Sequence, residues 1–396
     1  LVFAYSAFIL LSSGYSLAAI LKVPEQTATI AGAISASSDG DTVLVSPGRY
    51  HENVRIEGRR VVLASNFIFD SSSTSISTTI IDGSSPANPE RGSCVTITGT
   101  GSAGSAVVGF TVTGGIGTFL GDRYAGGGFL VTTGSTLKIA YNSITGNSAT
   151  SGGGISVYGS SPLIERNIVF ENTSSRGGGL DMESSSAMIS RNVFAQNHAS
   201  SSGGGARAFA SGSAVITDNV FYNNTAITFG GLIFDATPPT VRYNDFYGNT
   251  NGNVGGSVTP IGDTTCCRNF NGVRCDVYFN IFRNPLFASL QASSCSTACA
   301  SPLIDAGSLI GLAIPFAGIR TDIGVCENHY LIGDVYPDVF VDITDLTWLI
   351  GYVYLGGTAP CPIRSGDWNC DGKVNLTDIT KMINYIFKGG PGQCKN

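Results

Sequence analysis

The chain has 396 residues, 52 of them glycine, a net charge of −6 and a pI near 5.1; charged residues make up 13%, against about a quarter in a typical soluble domain. This length allows two or three domains with a large buried core. The acidic balance and the lack of any Lys/Arg run exclude an electrostatic nucleic-acid binder.

Leu1-Val2-Phe3-Ala4 opens an apolar run that lasts to Leu11 and gives way to small residues ending in Ser16-Leu17-Ala18. The pattern predicts a secretory signal peptide over residues 1–18, lacking its basic start and cleaved near Ala18. The run is shorter than the roughly 18–20 residues that span a bilayer, and no later segment is long enough, so a secreted chain without a membrane span is expected.

Residues 28–36 read as a short amphipathic helix, followed by strand-like Asp41–Tyr50, Thr79–Gly83 and Gly109–Val112. Gly99-Thr100-Gly101-Ser102-Ala103-Gly104 fits the dinucleotide fingerprint, but a strand follows it where that fingerprint needs a helix, so it reads as a turn. From residue 126 to 256 the chain repeats. Asn142, Asn167, Asn192, Asn219 and Asn244 are spaced by 25, 25, 27 and 25 residues, as are Asn147, Asn172, Asn197, Asn224 and Asn249. Glycine clusters starting at Gly126, Gly152, Gly177, Gly203, Gly230 and Gly255 keep nearly the same pace. Apolar residues alternate with period two, which excludes helical repeats and predicts three strands and three turns per coil.

This register aligns strands across coils. Leu130, Ser156, Asp181, Arg207 and Ile233 form one outward column, and Thr132, Tyr158, Glu183, Phe209 and Asp235 the next. Neighbouring strands about 4.8 Å apart would put Asp181 and Glu183 near 7 Å, and Glu183 and Asp235 near 10 Å. That range overlaps the carboxylate separation of inverting glycosidases. Asp181, Glu183 and Asp235 are therefore the catalytic candidates, with Arg207 to meet an acidic sugar and Tyr158 and Phe209 to stack on sugar rings. A solvated surface ion pair between Asp181 and Arg207, or a binding face without chemistry, are the alternatives.

Stacked coils with a recurring Asn at one turn resemble a right-handed parallel β-helix of the pectate-lyase type, spanning residues 19–327. The resemblance implies an all-β, three-sheet solenoid. The Asn142 to Asn244 column resembles the asparagine ladder of that family, Asn being tolerant of left-handed backbone and its amides able to bond between coils. Asn284-Pro285-Leu286-Phe287, Ser301 to Gly307 and Arg320 to Gly324 resemble the closing segments of secreted bacterial members.

Nine of the ten cysteines lie at or beyond Cys266, where an oxidising compartment would let them pair; zinc at Cys295-x-x-x-Cys299 is the rival, without a second clean pair or clustered histidines. Near the end, Asp367, Asn369, Asp371, Asn375 and Asp378 place side-chain oxygens at positions 1, 3, 5, 9 and 12 of a loop, with the Lys373 carbonyl at 7 and Gly372 at 6. Oxygen ligands in that rhythm predict a Ca²⁺ loop, leading into a helix over Ile379–Phe387. The unit occurs once before, displaced by 33 residues, as Asp334, Asp338, Asp342 and Asp345, with Tyr336 and Val339 replacing the usual Asn and Gly.

The duplicated loop-plus-helix resembles a dockerin, a small α-helical module with paired EF-hand-type loops, over residues 328–396. The resemblance implies a cohesin-like partner chosen with the help of positions 10 and 11, here Ile343-Thr344 and Leu376-Thr377. Taken together, the chain reads as a secreted β-helix protein that acts on or holds extracellular polysaccharide, as a hydrolase, a lyase or a binder. The alternative is a non-catalytic adhesion or structural protein whose rod is a spacer.

Overall fold

The computed structural model describes residues 18–235, 237–256, 261–269, 272–298, 300–308, 321–326, 332–336 and 340–392. The expected signal peptide up to residue 17, Cys299, Arg320, His329, Asp338, Val339 and Cys394 lie outside these residues.

The coil is a closed rectangle of strands. In one turn, Ile155–Tyr158 is followed by Leu163–Glu165, Ile168–Phe170 and Thr173–Arg176, and Leu180–Glu183 begins the next. Each strand pairs in parallel with its counterpart one coil away, Ile155 opposite Leu180, Ile168 opposite Val193 and Thr173 opposite His198. Four sheets of seven to nine strands result. We name them I (Leu163–Glu165 and its counterparts), II (Ile168–Phe170), III (Thr173–Arg176) and IV (Leu180–Glu183).

The β-helix is as expected, with one strand more per coil than the three predicted. Sheet III is the addition. Its strands, such as Thr173–Arg176 and His198–Ser202, are almost entirely small and polar, so they show no apolar alternation and read as turn. Backbone hydrogen bonding between coils holds them in line, and the side chains they bury are small ones such as Ser174 and Ala199.

Inside the tube, Leu180, Met182, Ile189, Phe194 and their counterparts form one continuous core. Phe194, Phe221, Phe246 and Phe282 stack along it, with centroids 5.0, 4.8 and 5.7 Å apart. Helix α1 (Ile30–Ala36) closes the first coil by burying Ile30, Ala33 and Ile34, and Thr29 caps it by accepting the Gly32 N–H. Its first turn is held by Glu52, whose carboxylate accepts the Ile30 and Ala31 N–H groups, both at 2.9 Å.

Two asparagine ladders run along the turns between sheets I and II and between II and III. Asn192 is typical: its amide donates to the Ile164, Ser190 and Asn219 oxygens, and its Oδ1 accepts from the backbone and amide nitrogens of Asn167, all at 2.9–3.0 Å. The first ladder extends beyond Asn244 to Asn280, and the second ends at Asn253. The left-handed residue at each of the first turns is the one before the ladder Asn, contrary to expectation: Tyr141, Arg166, Arg191, Asp218 and Tyr243 take φ of 54–58°. Asn is there for its hydrogen bonds, which need both an amide donor and an amide acceptor in the column.

The chain then folds back. Leu303, Ala306 and Ile323 cover Val193 and Val220 on the outer face of sheet II, and Asp218 holds the returning segment by accepting the Ser308 N–H and hydroxyl, both at 2.7 Å. A disulfide joins Cys295 to Cys326, which removes Cys295 as a zinc ligand.

The C-terminal module has its own core of Val335, Leu346, Leu349, Trp368, Ile379 and Met382 between helices α4 (Ile343–Leu355) and α5 (Leu376–Lys388). α2 (Phe67–Asp70) and α3 (Ser73–Thr78) belong to the rod. Both module helices begin with a capping box, Asp342 with Asp345 and Asn375 with Asp378, and end on a left-handed glycine, Gly356 and Gly389. No helix among the described residues is long and apolar enough to cross a membrane.

Candidate functional site

Sheets III and IV meet at an inside corner. Four successive coils turn there on a left-handed glycine, Gly126, Gly152, Gly177 and Gly203, and at Gly177 a Cβ would sit 2.7 Å from the Asp181 Cβ. The outward column at the foot of sheet IV is therefore shut in. Leu130, Ser156, Asp181 and Arg207 do point away from the tube, yet each is at most 5% exposed.

This corrects the solvent-facing placement expected of Asp181 and Arg207. The Arg207 guanidinium grips the Asp181 carboxylate with two bonds, Nε to Oδ1 at 2.6 Å and Nη2 to Oδ2 at 3.1 Å, and lies 4.4 Å from the Phe209 ring centroid. Burial pushes the Asp181 carboxyl up, and the Arg207 guanidinium opposes that shift. Both members of the pair are buried.

Asp235 does not join it. The strand ends at Phe234, and the Asp235 carboxylate accepts the Ala210 N–H at 2.7 Å, the Thr237 N–H at 3.0 Å and the Thr237 hydroxyl at 2.7 Å. Burial works against the charge, but these bonds hold the Asp235 carboxyl below its usual range. It is a turn-forming carboxylate.

Glu183 keeps one third of its side chain in solvent and meets a residue that sequence reasoning missed. Arg123 donates to Glu183 Oε2 at 2.8 Å, and Arg207 approaches the same oxygen at 3.6 Å. Arg123 sits in a hairpin between Gly117–Phe119 and Tyr124–Ala125, ahead of the regular repeats, so the 25-residue register gives no signal for it. Its guanidinium lies 6.0 Å from the Tyr158 ring centroid, and that ring is 46% exposed.

Leu120, Asp122, Arg123, Thr132, Thr133, Tyr158 and Glu183 line a cavity of about 420 Å³. Thr133 takes a left-handed φ of 64°, where the counterpart one coil on is Gly159. A β-branched residue is strained there. Its hydroxyl joins a chain with Thr132 and Thr98 at 3.2 and 3.3 Å. The lining thus offers an aromatic face, a cation and hydroxyls; of the three predicted carboxylates, only Glu183 reaches it.

In the second C-terminal loop, the Asp367 carboxylate accepts the Asp371 and Gly372 N–H groups, at 3.1 and 2.8 Å. Asn369 accepts from Asp371, Asp371 from Lys373 and Asn375 from Thr377. Asp378 accepts from Asn369 and Asn375. Gly372 has a φ of 82°, as the sharp turn requires. Burial raises the Asp378 carboxyl, with the charges of Asp367 and Asp371 adding to the shift.

The side-chain ligands this loop would present are all oxygens, and each oxygen that accepts one N–H keeps a lone pair, so the set fits Ca²⁺ in its chemistry. Among the described residues no three acidic, His or Cys side chains converge at metal-holding separation. In the first loop, Asp345 accepts from Val335, Tyr336 and Asp342, while Asp342 caps α4 through Thr344 and Asp334 is half-buried.

The family model described as right handed beta helix region matches residues 127–285, and that described as dockerin type I domain matches residues 332–387. The chain is a right-handed β-helix protein with a C-terminal dockerin module. Among solved structures, the crystal structure of pectate lyase Pel9A is similar at 14% identity over 80% of this chain and 98% of that chain, with a TM-score of 0.38. No curated protein matches the sequence.

The dockerin module presents an apolar face along α4. Tyr336, Ile343, Thr344, Thr347, Trp348, Gly351, Gly357 and Thr358 line a cavity of about 750 Å³. Ile343 and Trp348 are 57% and 36% exposed, and the Tyr336 ring lies 5.5 Å from that of Trp348. Positions 10 and 11 of the first loop are thus part of an open aromatic patch.

Proposed function

We propose that the protein is a secreted, non-catalytic glycan-binding rod, held to a cohesin-like partner by its Ca²⁺-loaded dockerin module. The carrying observation is the corner cavity: Tyr158 stands half exposed beside the Arg123–Glu183 pair, while Asp181 is locked to Arg207 behind it. Hydrolysis of a glycosidic bond by the usual carboxyl pair needs two carboxyl groups free to act across that bond. Asp181 and Asp235 spend their oxygens on the protein itself.

An extended polysaccharide suits the site because the corner continues from coil to coil at about 4.8 Å per step. Tyr158 supplies an apolar platform, the threonine hydroxyls exchange hydrogen bonds with sugar hydroxyls, and Arg123 takes the role assigned to Arg207 toward an acidic sugar. In the module, Asp367, Asn369, Asp371, the Lys373 carbonyl, Asn375 and Asp378 hold one Ca²⁺, and Asp334, Asp342 and Asp345 contribute to a weaker first site. The exposed Ile343 and Trp348 face is the docking surface for the partner.

Affinity electrophoresis of the full chain in gels containing neutral or uronic-acid polysaccharides tests the proposal, together with a reducing-end and unsaturated-product assay. Retardation by a polysaccharide without product is expected. Product that disappears in Glu183→Gln would replace this reading with an enzymatic one.

A further inference from the structure

A third cavity, of about 670 Å³, lies on the outer face of sheet II. It sits within the roughly 300–1,000 Å³ of small-ligand sites. Two departures from the repeat build it. Where later coils pass from sheet I to sheet II in a two-residue turn, residues 66–78 insert α2 and α3 and supply Phe67, Ile68, Ser71, Ser73 and Ile76. The facing wall is the hairpin of Phe287–Gln291 and Ser294–Thr297, pinned by the Cys295–Cys326 disulfide.

The floor carries an anomaly. Ser143 is 1% exposed, lines the cavity, and its hydroxyl has no hydrogen-bond partner. Buried hydroxyls are rarely left so. The fold does not demand a polar residue there, because the counterparts in the next coils are Ile168 and Val193. Beside Ser143, the Tyr141 ring lies 4.9 Å from Phe67 and 5.8 Å from the Arg166 guanidinium.

We propose that this cavity binds one or two sugar rings, independently of the corner groove. Among the described residues the lining combines aromatic and aliphatic surface with serine hydroxyls and one guanidinium, and contains no carboxylate. A purely apolar ligand would leave the serines unpaired, and a small anion would not use Phe67 and Tyr141. A pyranose offers C–H faces to the rings and hydroxyls to Ser143.

The test is a saturation-transfer NMR titration of the full-length protein with D-galactose and D-galacturonate through the millimolar range. Saturable binding of at least one sugar is expected. Ser143→Ala strands no partner, so its melting temperature should hold, while its affinity falls about tenfold with the loss of one hydrogen bond. Ser293→Trp at the hairpin tip should fill the cavity and abolish the Ser143-dependent binding, and Tyr158→Ala in the corner groove should leave that component unchanged. The inference is overturned if neither sugar saturates, as for a cavity that holds only water, or if Ser293→Trp binds like the wild type. It is overturned equally if Tyr158→Ala removes the binding, which would assign the signal to the corner groove.

Discussion

Replacing Asp181 by Asn separates a structural carboxylate from a catalytic one. In the wild type, Arg207 is 5% exposed and its charge is met by two bonds to Asp181. Removing one partner of such a buried pair costs about 3–5 kcal/mol, because the other charge stays desolvated. Glu183 remains 3.6 Å from Arg207 and the Phe209 ring lies against it, so the loss should sit near the lower end, about 3 kcal/mol. The double variant Asp181→Leu/Arg207→Met removes both charges and should recover most of that loss. Thermal unfolding of the full chain in Ca²⁺, followed by circular dichroism, compares the three proteins. An Asp181→Asn rod that melts with the wild type would mean that the carboxylate is not needed for the fold, and the structural assignment would fail.

Asn192→Ala deletes five ladder bonds and leaves the buried Asn167 N–H without an acceptor, a loss of about 1–3 kcal/mol before any cavity cost; an unchanged melting temperature would contradict the ladder's role. Asp245 is fully buried, with one oxygen on the Arg283 N–H and the other unpartnered, and burial raises its carboxyl well above the usual range. The folded state therefore keeps the proton after the unfolded state has released it near pH 3.9. This contribution is largest below that pH and declines as pH rises toward the folded carboxyl's own value. Asp245→Asn should flatten that decline in urea unfolding run across pH; an identical slope would refute it. In the dockerin module, Ca²⁺ should restore helicity to chelator-treated protein, with Asp378→Ala abolishing the response and Asp345→Ala weakening it. The reverse order would move the main site to the first loop.

Much of the rod is legible in the sequence because its strongest constraint has a fixed period. An amide that must bond to the coils on both sides recurs wherever a coil closes, so Asn142 to Asn244 mark the register without any structure. The C-terminal loop is legible for a similar reason, since one ion dictates the spacing of Asp367 to Asp378. Sheet III is not, because Thr173–Arg176 and His198–Ser202 are held by backbone bonds that leave no apolar alternation.

The candidate site was half visible. Period two correctly turns Asp181 and Arg207 away from the tube, but outward is not exposed when Gly177 folds the neighbouring sheet onto the same column. Arg123 comes from a hairpin outside the repeat, and no register can align it with Glu183, 60 residues later.

The central claim, that the corner beside Tyr158 holds a polysaccharide without cutting it, is tested most directly by affinity electrophoresis of wild type, Tyr158→Ala and Arg123→Ala. Neutral and uronic-acid polysaccharides form the matrices, and the same samples are assayed for cleavage products. Retardation of the wild type, lost in Tyr158→Ala and weakened most in the acidic matrix by Arg123→Ala, with no product, is the predicted result. Equal migration of all three proteins in every matrix, or accumulation of cleaved glycan, would contradict it.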